Sequence, residues 1–234
     1  MDDGARTNFE AIEIITRMRE RLEPGSTIVF TPHYSSSMSR RVADGRRRKS
    51  VQFLDRMEEE FSPDLSFLAA GELMIQRGSL KHMEEIRYPG TGWVLVEFDT
   101  GVSWIETLIQ LKRIINKGYS PLIAHPERYR WCRRKNKKLI TLSEMGCGTM
   151  VSARSFKLKR YAAAARNLLK DGLSHALCSD AHSIRDPILD GDLKKKLDES
   201  SSVPWQILTG DIPDMILNDL KLPELPLTGK RRFS

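Results

Sequence analysis

Leu122-Ile123-Ala124-His125-Pro126-Glu127-Arg128-Tyr129, answered later by Cys178-Ser179-Asp180-Ala181-His182, decides how the chain is read. Each is a short apolar run that stops abruptly at ionisable side chains. Such a run predicts a buried parallel strand whose carboxyl end brings a functional group within reach of solvent. The pattern recurs three times: Thr27–Thr31 leads to His33, Leu65–Leu68 to Glu72, and Trp93–Val96 to Glu97. Five strands ending at or just before a His, Asp or Glu point to one site on the carboxyl edge of a parallel sheet or barrel.

Outward from these strands, helical patterns alternate with them. Phe9, Ile12, Ile15 and Leu22 share a helical face, a second helix is expected over 51–60, and Ile105, Leu108, Leu111 and Ile115 mark a third. Residues 76–90 read as polar loop. Further helices are expected over 138–145, 161–169, 191–198 and 212–220, with strands at 149–152 and 175–179. Strand–helix alternation is the signature of βαβ units. No internal repeat or linker divides the chain, so the reading is one α/β domain over residues 1–222 and a basic, Pro-containing tail over 223–234.

The totals narrow the function class. The chain has 234 residues, a formal net charge of +7, and three cysteines. Cys132, Cys147 and Cys178 are too few and too scattered for a disulfide framework. No apolar run approaches the ~20 residues of a membrane span, and the acidic start is unlike a signal peptide, so the expectation is a cytoplasmic protein without membrane insertion. The basic charge lies in separate runs without interleaved aromatics, which argues against nucleic acid and suits a phosphorylated or acidic peptide. The runs at 46–49 and 133–138 read as solvated surface. Thiol-based phosphatase chemistry needs an Arg six positions after the cysteine. The residues there are Lys138, Ala153 and Ile184.

Imidazoles and carboxylates without thiolate, in His33, Glu72, Glu97, His125, Asp180 and His182, suit an open catalytic site for manganese, iron or zinc. Several carboxylates together neutralise more than one cation and can bridge two metals about 3.5–4 Å apart, an arrangement that favours phosphoester hydrolysis. Pro126 disfavours helical geometry at His125 and predicts an extended exit. Asp180 and His182, two apart in an extended segment, would point to one side. Arg128, three residues past His125, is placed to reach a phosphate, and Arg185 has a similar position after His182. His82 and His175 read as structural histidines.

Ala124-His125-Pro126-Glu127-Arg128, Ser179-Asp180-Ala181-His182, Thr31-Pro32-His33 and the opening Asp2-Asp3-Gly4-Ala5 resemble, in order through nearly the whole chain, the metal-dependent protein-tyrosine phosphatases of the PHP (polymerase and histidinol phosphatase) superfamily encoded with bacterial capsule or exopolysaccharide genes. The resemblance implies a distorted, TIM-like seven-stranded β/α barrel with up to three metal ions, usually manganese. It implies one metal at Asp3, His33 and His182, a second at Glu72, Glu97 and His125, and a third sharing Glu72 and Asp180. It further implies Arg128 and Arg185 on the phosphate, and as substrate the phosphotyrosine of a tyrosine autokinase that regulates polysaccharide export. Members of the family open with a strand carrying His-x-His ahead of Asp-Asp-Gly. This sequence begins at Met1-Asp2-Asp3, so the first strand is expected to be missing, through a misassigned start or a truncation, and these 234 residues alone are expected to show low or no turnover. Alternatives are a PHP phosphoesterase for a small molecule such as histidinol phosphate, and a degenerate barrel that binds phosphoprotein without turnover. A homo-oligomer is left open.

Overall fold

The computed structural model describes residues 5, 7–132, 137–198 and 201–227; Asp3 lies outside them. Within this range the elements run α1 (Asn8–Arg21), β1 (Ser26–Phe30), β2 (His33–Tyr34), α2 (Arg40–Phe61), β3 (Leu65–Ala69), β4 (Glu72–Met74), α3 (Met83–Ile86), β5 (Trp93–Glu97), α4 (Trp104–Ile115), β6 (Ser120–Ala124), α5 (Lys137–Glu144), β7 (Gly148–Ser152), α6 (Ala162–Lys170), β8 (Ala176–Cys178), α7 (Gly191–Asp198) and α8 (Ile212–Leu217).

Six strands form one parallel sheet in the order β2-β4-β5-β6-β7-β8. Parallel strands need crossover connections, and the helices between them bury both sheet faces. Hence Trp93, Val94, Leu95 and Val96 of β5 are all buried, as are Leu122, Ile123 and Ala124 of β6. A single large core spans this sheet and its helices. The sheet curls until its two edges face each other: the rings of His33 on β2 and His182 beyond β8 lie 6.0 Å apart. Among the described residues no hydrogen-bonded pairing joins β2 to β8, so the α/β barrel has a seam there.

Strands β1 and β3 form a separate two-stranded parallel extension, with Ser26 opposite Leu65 and Phe30 opposite Ala69. Its own small core of Ile15, Met57, Phe61 and Leu65 ties it to α1 and α2.

The two apolar runs expected to end at His33 and Glu72 are in fact each broken in two. Pro32 lacks an N–H to continue a ladder, and Gly71 sends its N–H to Ile86 O at 2.9 Å instead. Gly71 is required there, because a Cβ would lie 2.6 Å from a ring carbon of Tyr34. The chain resumes as β2 and β4, paired at His33 and Glu72. The functional residues therefore open these short strands instead of following the longer ones.

Helix α2 begins at Arg40, about a dozen residues before the apolar periodicity does, because Arg and Lys are good helix formers and Ser39 caps Val42 N. The run at 46–49 is thus helical, and two of its members are anchors. Arg46 donates to His33 O at 2.8 Å and Arg47 to Glu85 O at 2.7 Å.

At the end of the chain, Leu222, Leu225 and Leu227 are buried, and Leu227 N donates to Gly172 O at 2.7 Å, closing the amino-terminal end of the sheet.

Candidate metal centre and phosphate site

At the carboxyl end of the sheet, neighbouring strands deliver the functional side chains. Tyr129 straps two of them together. Its hydroxyl donates to Ala124 O at the end of β6 (3.0 Å) and accepts from Phe98 N just beyond β5 (3.1 Å). That fixes the distance between Glu97, the last residue of β5, and His125, the first beyond β6. His125 itself has φ 36° and ψ 57°. The extended exit expected ahead of Pro126 is overturned: the left-handed turn lets His125 N keep its sheet bond to Met150 O (2.8 Å) while Pro126 opens a 3-10 turn. Left-handed backbone at a non-glycine costs energy and persists where surrounding contacts over-determine it, commonly at functional sites.

The result is a buried nest. His33 Nδ1 lies 3.1 Å from Glu97 Oε1 and 3.9 Å from Glu72 Oε2. His125 Nε2 lies 3.1 Å from Glu72 Oε1 and 3.4 Å from Glu97 Oε2. One ligand atom each from His33, Glu72 and Glu97 falls within a 4.8 Å group. Glu72 and His125 are 5% and 6% exposed, so neither charge is paid out to water.

Two carboxylates confined in so little solvent need positive charge. Burial alone would push the His125 pKa down, but hydrogen bonds to Glu72 and Glu97 prevail and carry it up to about 10. For Glu97 burial acts upward, yet the bonds from His125 and His33 hold it down at about 2. At neutral pH the proton on His125 therefore does the neutralising that a divalent cation would do. Its other nitrogen, Nδ1, is buried without a hydrogen-bond partner. This donor set fits a hard or borderline cation.

Beside the nest sits a second group. Arg128 pairs with Asp180 Oδ2 and donates to Ser152 Oγ at 3.2 Å and Ser155 Oγ at 3.4 Å. Ser152 Oγ also donates to Asp180 Oδ2 at 2.8 Å. Asp180, like His125, is left-handed, with φ 53°. The extended Asp-x-His geometry is therefore overturned as well. The kink brings Asp180 O within 2.8 Å of His182 Nδ1, so the two residues meet through a turn, not through strand alternation.

The loop carrying His182 is held from outside. Asp186 Oδ2 accepts from His182 N and Ser183 N, both at 2.9 Å. Arg17 of α1 grips the same turn through Asp186 O at 2.8 Å and through Ile184 O. Arg21 pairs with Asp190 at 2.7 Å and Asp192 at 2.6 Å. Helix α1 thus clamps the edge of the seam.

Of the residues singled out in the sequence, His33, Glu72, Glu97 and His125 share the nest, and Asp180, His182 and Arg128 surround it. Arg185 is exposed on the His182 loop, its carbonyl facing Lys157 Nζ. Asp3 is outside the described residues. The sequence reading missed Tyr129, Ser152, Asp186, Arg17 and Arg46 as positioning residues. None has a motif of its own; Arg17 and Ser152 act on partners far along the chain, and Tyr129 and Asp186 act on nearby backbone groups whose position the fold decides. Glu127 was equally unread: it is fully buried, accepts Ser152 N at 3.1 Å, and burial raises its pKa.

The histidines read as structural are so placed. His82 is buried with Nε2 3.1 Å from Met38 O, and His175 lies at the opposite end of the sheet. Burial pushes the Cys132 and Cys147 thiols up to about 12 and Cys178 further, so none is a ready nucleophile.

The chain matches the family model for capsular polysaccharide synthesis, CpsB/CapC, over residues 1–201. It is 29% identical over 194 residues to the tyrosine-protein phosphatase YwqE of Bacillus subtilis, covering 79% of this chain and 74% of that one. It is 25% identical over 204 residues to the tyrosine-protein phosphatase CpsB of Streptococcus agalactiae, covering 81% and 82%. A solved structure from the work on YwqE of Bacillus subtilis and CpsB of Streptococcus pneumoniae, described as unique metal-dependent tyrosine phosphatases, superposes with a TM-score of 0.78 at 23% identity, covering 99% of this chain and 96% of that one. The fold is shared, and the chain belongs to the CpsB/CapC capsular polysaccharide synthesis family.

Proposed function

We propose that this protein is a metal-dependent protein-tyrosine phosphatase acting on the phosphotyrosine of a cytoplasmic tyrosine autokinase that controls capsule or exopolysaccharide synthesis. The observation that carries the reading is the convergence of His33, Glu72, Glu97 and His125 in one buried nest, with Arg128 and Asp180 at its side. The names and chemistry of its relatives support the same reading.

In this proposal His33, Glu72, Glu97, His125, Asp180 and His182, with Asp3, hold up to three divalent cations, manganese first and iron or zinc as alternatives. Bound there, such cations lower the pKa of water and neutralise phosphoryl oxygens. Glu72 and Glu97 supply the negative charge that retains them, and His125 must give up its proton to bind. Ser152 and Ser155 orient the Arg128 guanidinium, whose donors then meet the phosphate oxygens bidentately. Arg185 reaches the same phosphate from the exposed loop. Tyr129 and Asp186 keep the geometry fixed while charge shifts.

The test is hydrolysis of a phosphotyrosine peptide by manganese-loaded protein, assayed as the 234 residues and with a His-x-His strand supplied ahead of Asp2, with histidinol phosphate as the competing substrate. Chelator-sensitive turnover of the peptide in either form, faster than that of histidinol phosphate, is expected. Metal retention without turnover of any phosphomonoester in both forms would end the reading.

A further inference from the structure

The two ends of the sheet differ in charge: the site end is basic and the other is nearly balanced. Among the described residues, the loops leaving the strands at the site end expose Lys157, Lys159, Arg160 and Arg185 next to Arg128, and Arg77, Lys81 and Arg130 from other loops. Against them stands one exposed acid, Asp99; Glu127 and Asp190 are buried, and Asp180 and Asp186 are largely covered. At the other end, the loops entering β6 and β8 expose Lys117 and Asp171, and the returning chain after α8 exposes Asp219, Lys221 and Glu224. Among these loops the excess of positive charge lies around the mouth of the site.

A single phosphate does not account for this. Arg128 already serves the phosphate position, and its neighbours on the turn after β7 point charge at solvent over a stretch from Arg154 to Tyr161. That turn is firmly built: Ser155 Oγ accepts from Arg128, and Arg154 Nε faces Asp186 Oδ1 at 3.6 Å. Leu158 and Ile184 stand among the basic residues at 40% and 46% exposure, offering apolar contact. Among the described residues, the large exposed apolar side chains include one aromatic, Phe9, which sits on α1. Nucleic acid bases would want aromatic platforms at the mouth; an acidic peptide does not.

We infer that the turn after β7, with Lys157, Lys159 and Arg160 beside Leu158, is a subsite for acidic residues flanking the phosphotyrosine, so that the enzyme selects phosphotyrosine in an acidic sequence context. This rests on the phosphotyrosine reading given above and adds its sequence preference. Rim charges of this kind steer encounter and select partners more than they anchor them, and they weaken as salt shortens the Debye length to a few ångströms.

Fluorescence anisotropy with manganese-loaded protein and labelled peptides carrying a non-hydrolysable phosphotyrosine mimic, flanked by acidic, neutral or basic residues, tests the subsite independently of turnover. The acidic peptide should bind about 10-fold more tightly than the neutral one at low salt, and the ratio should fall to about 2 near 0.5 M salt. The double substitution Lys159→Glu and Arg160→Glu, on exposed positions, should bring the low-salt ratio close to one, and Lys157→Glu should lower it by a smaller factor. Equal affinity for the three peptides, a ratio untouched by both charge reversals, or displacement of the acidic peptide by single-stranded oligonucleotide at equal charge would overturn the subsite. Parallel turnover of the hydrolysable peptides separates this result from failure of the phosphatase reading: a binding preference without hydrolysis keeps the subsite and removes the enzyme, and hydrolysis without preference does the reverse.

Discussion

His125 and His175 are both all but sealed from water, and they behave as opposites. His125, at the carboxyl end of β6, has its pKa lifted to about 10; His175, just ahead of β8 at the other end of the sheet, has its own lowered to about 4. Burial pushes both downward. What differs is the company. His125 Nε2 faces the carboxylates of Glu72 and Glu97, whereas His175 receives Thr149 N at Nδ1 (3.1 Å) and places Nε2 3.0 Å from Pro223 O. Neutral dipoles satisfy a neutral imidazole and pin the returning chain near Leu222; two anions demand a cation. One end of the sheet gathers buried charge and the other closes the core, and the neighbours of a histidine, not its depth, tell them apart.

The sharpest way to break this contrast is to remove an anion from the nest. Glu97→Gln should lower kcat/KM on a phosphotyrosine peptide by on the order of 10³-fold, about 4 kcal/mol of transition-state stabilisation, while the fold survives. In the metal-free protein the same change should move the His125 titration, followed by NMR of the ring protons, downward toward that of His175. A His125 that stays protonated to the same pH in the variant would show that the carboxylates are not the cause.

The His175 end should announce itself in stability. Its pKa of about 4 lies below the ordinary 6.5, so between those values the unfolded chain binds a proton that the folded chain refuses. Stability is therefore fully present above pH 6.5 and is lost as pH falls toward 4. The loss is about 3 kcal/mol, from a shift of about 2.5 units at 1.36 kcal/mol each. Urea unfolding at pH 7 and pH 4.5 measures it, and His175→Asn should flatten that part of the profile. An unchanged slope would place the pH sensitivity elsewhere.

Metal should stabilise the site end alone. Manganese at 100 times its dissociation constant should add about 2.7 kcal/mol to unfolding, and EDTA should abolish both that gain and the activity. Hydrogen exchange should slow around β4 to β6 and leave the segment at 222–227 unaffected. Uniform slowing across both ends would contradict a local site.

The smallest expected effect concerns the clamp on the seam. Asp186→Asn removes the charge that holds His182 N and Ser183 N. It should weaken manganese affinity by about 10-fold, in the range seen for residues that orient metal ligands, with Asp186→Glu restoring little because the turn is tight. Metal affinity by calorimetry decides it, since a purely structural role would lower stability and leave affinity intact.

Much of this was legible because parallel strands are apolar on both faces and end where polarity begins. Trp93–Glu97 and Ser120–Ala124 appear in the sequence as runs broken by a charge, and the residue at the break is the residue in the nest. The short strands at His33 and Glu72 were harder: Pro32 and Gly71 interrupt the runs, and nothing local says that pairing resumes with new partners. Helix α2 was underestimated because its first turns are basic, not amphipathic. The left-handed turns at His125 and Asp180 ran against local preference, most of all before a proline, and they persist because the sheet bond from His125 N to Met150 O and the contacts around Asp180 hold them.

By itself, then, the sequence determined the α/β alternation, the identity of the ionisable groups at the strand ends and the structural role of His175, because periodicity and the cost of burying charge act residue by residue. Tertiary structure decided which of those groups share one low-dielectric pocket, which way His125 and Asp180 turn, and that Tyr129, Ser152, Asp186 and Arg17 hold them there. Proton affinity and ligand geometry depend on distances of a few ångströms between residues far apart in the chain, and those distances exist once the sheet has curled and its two edges have met.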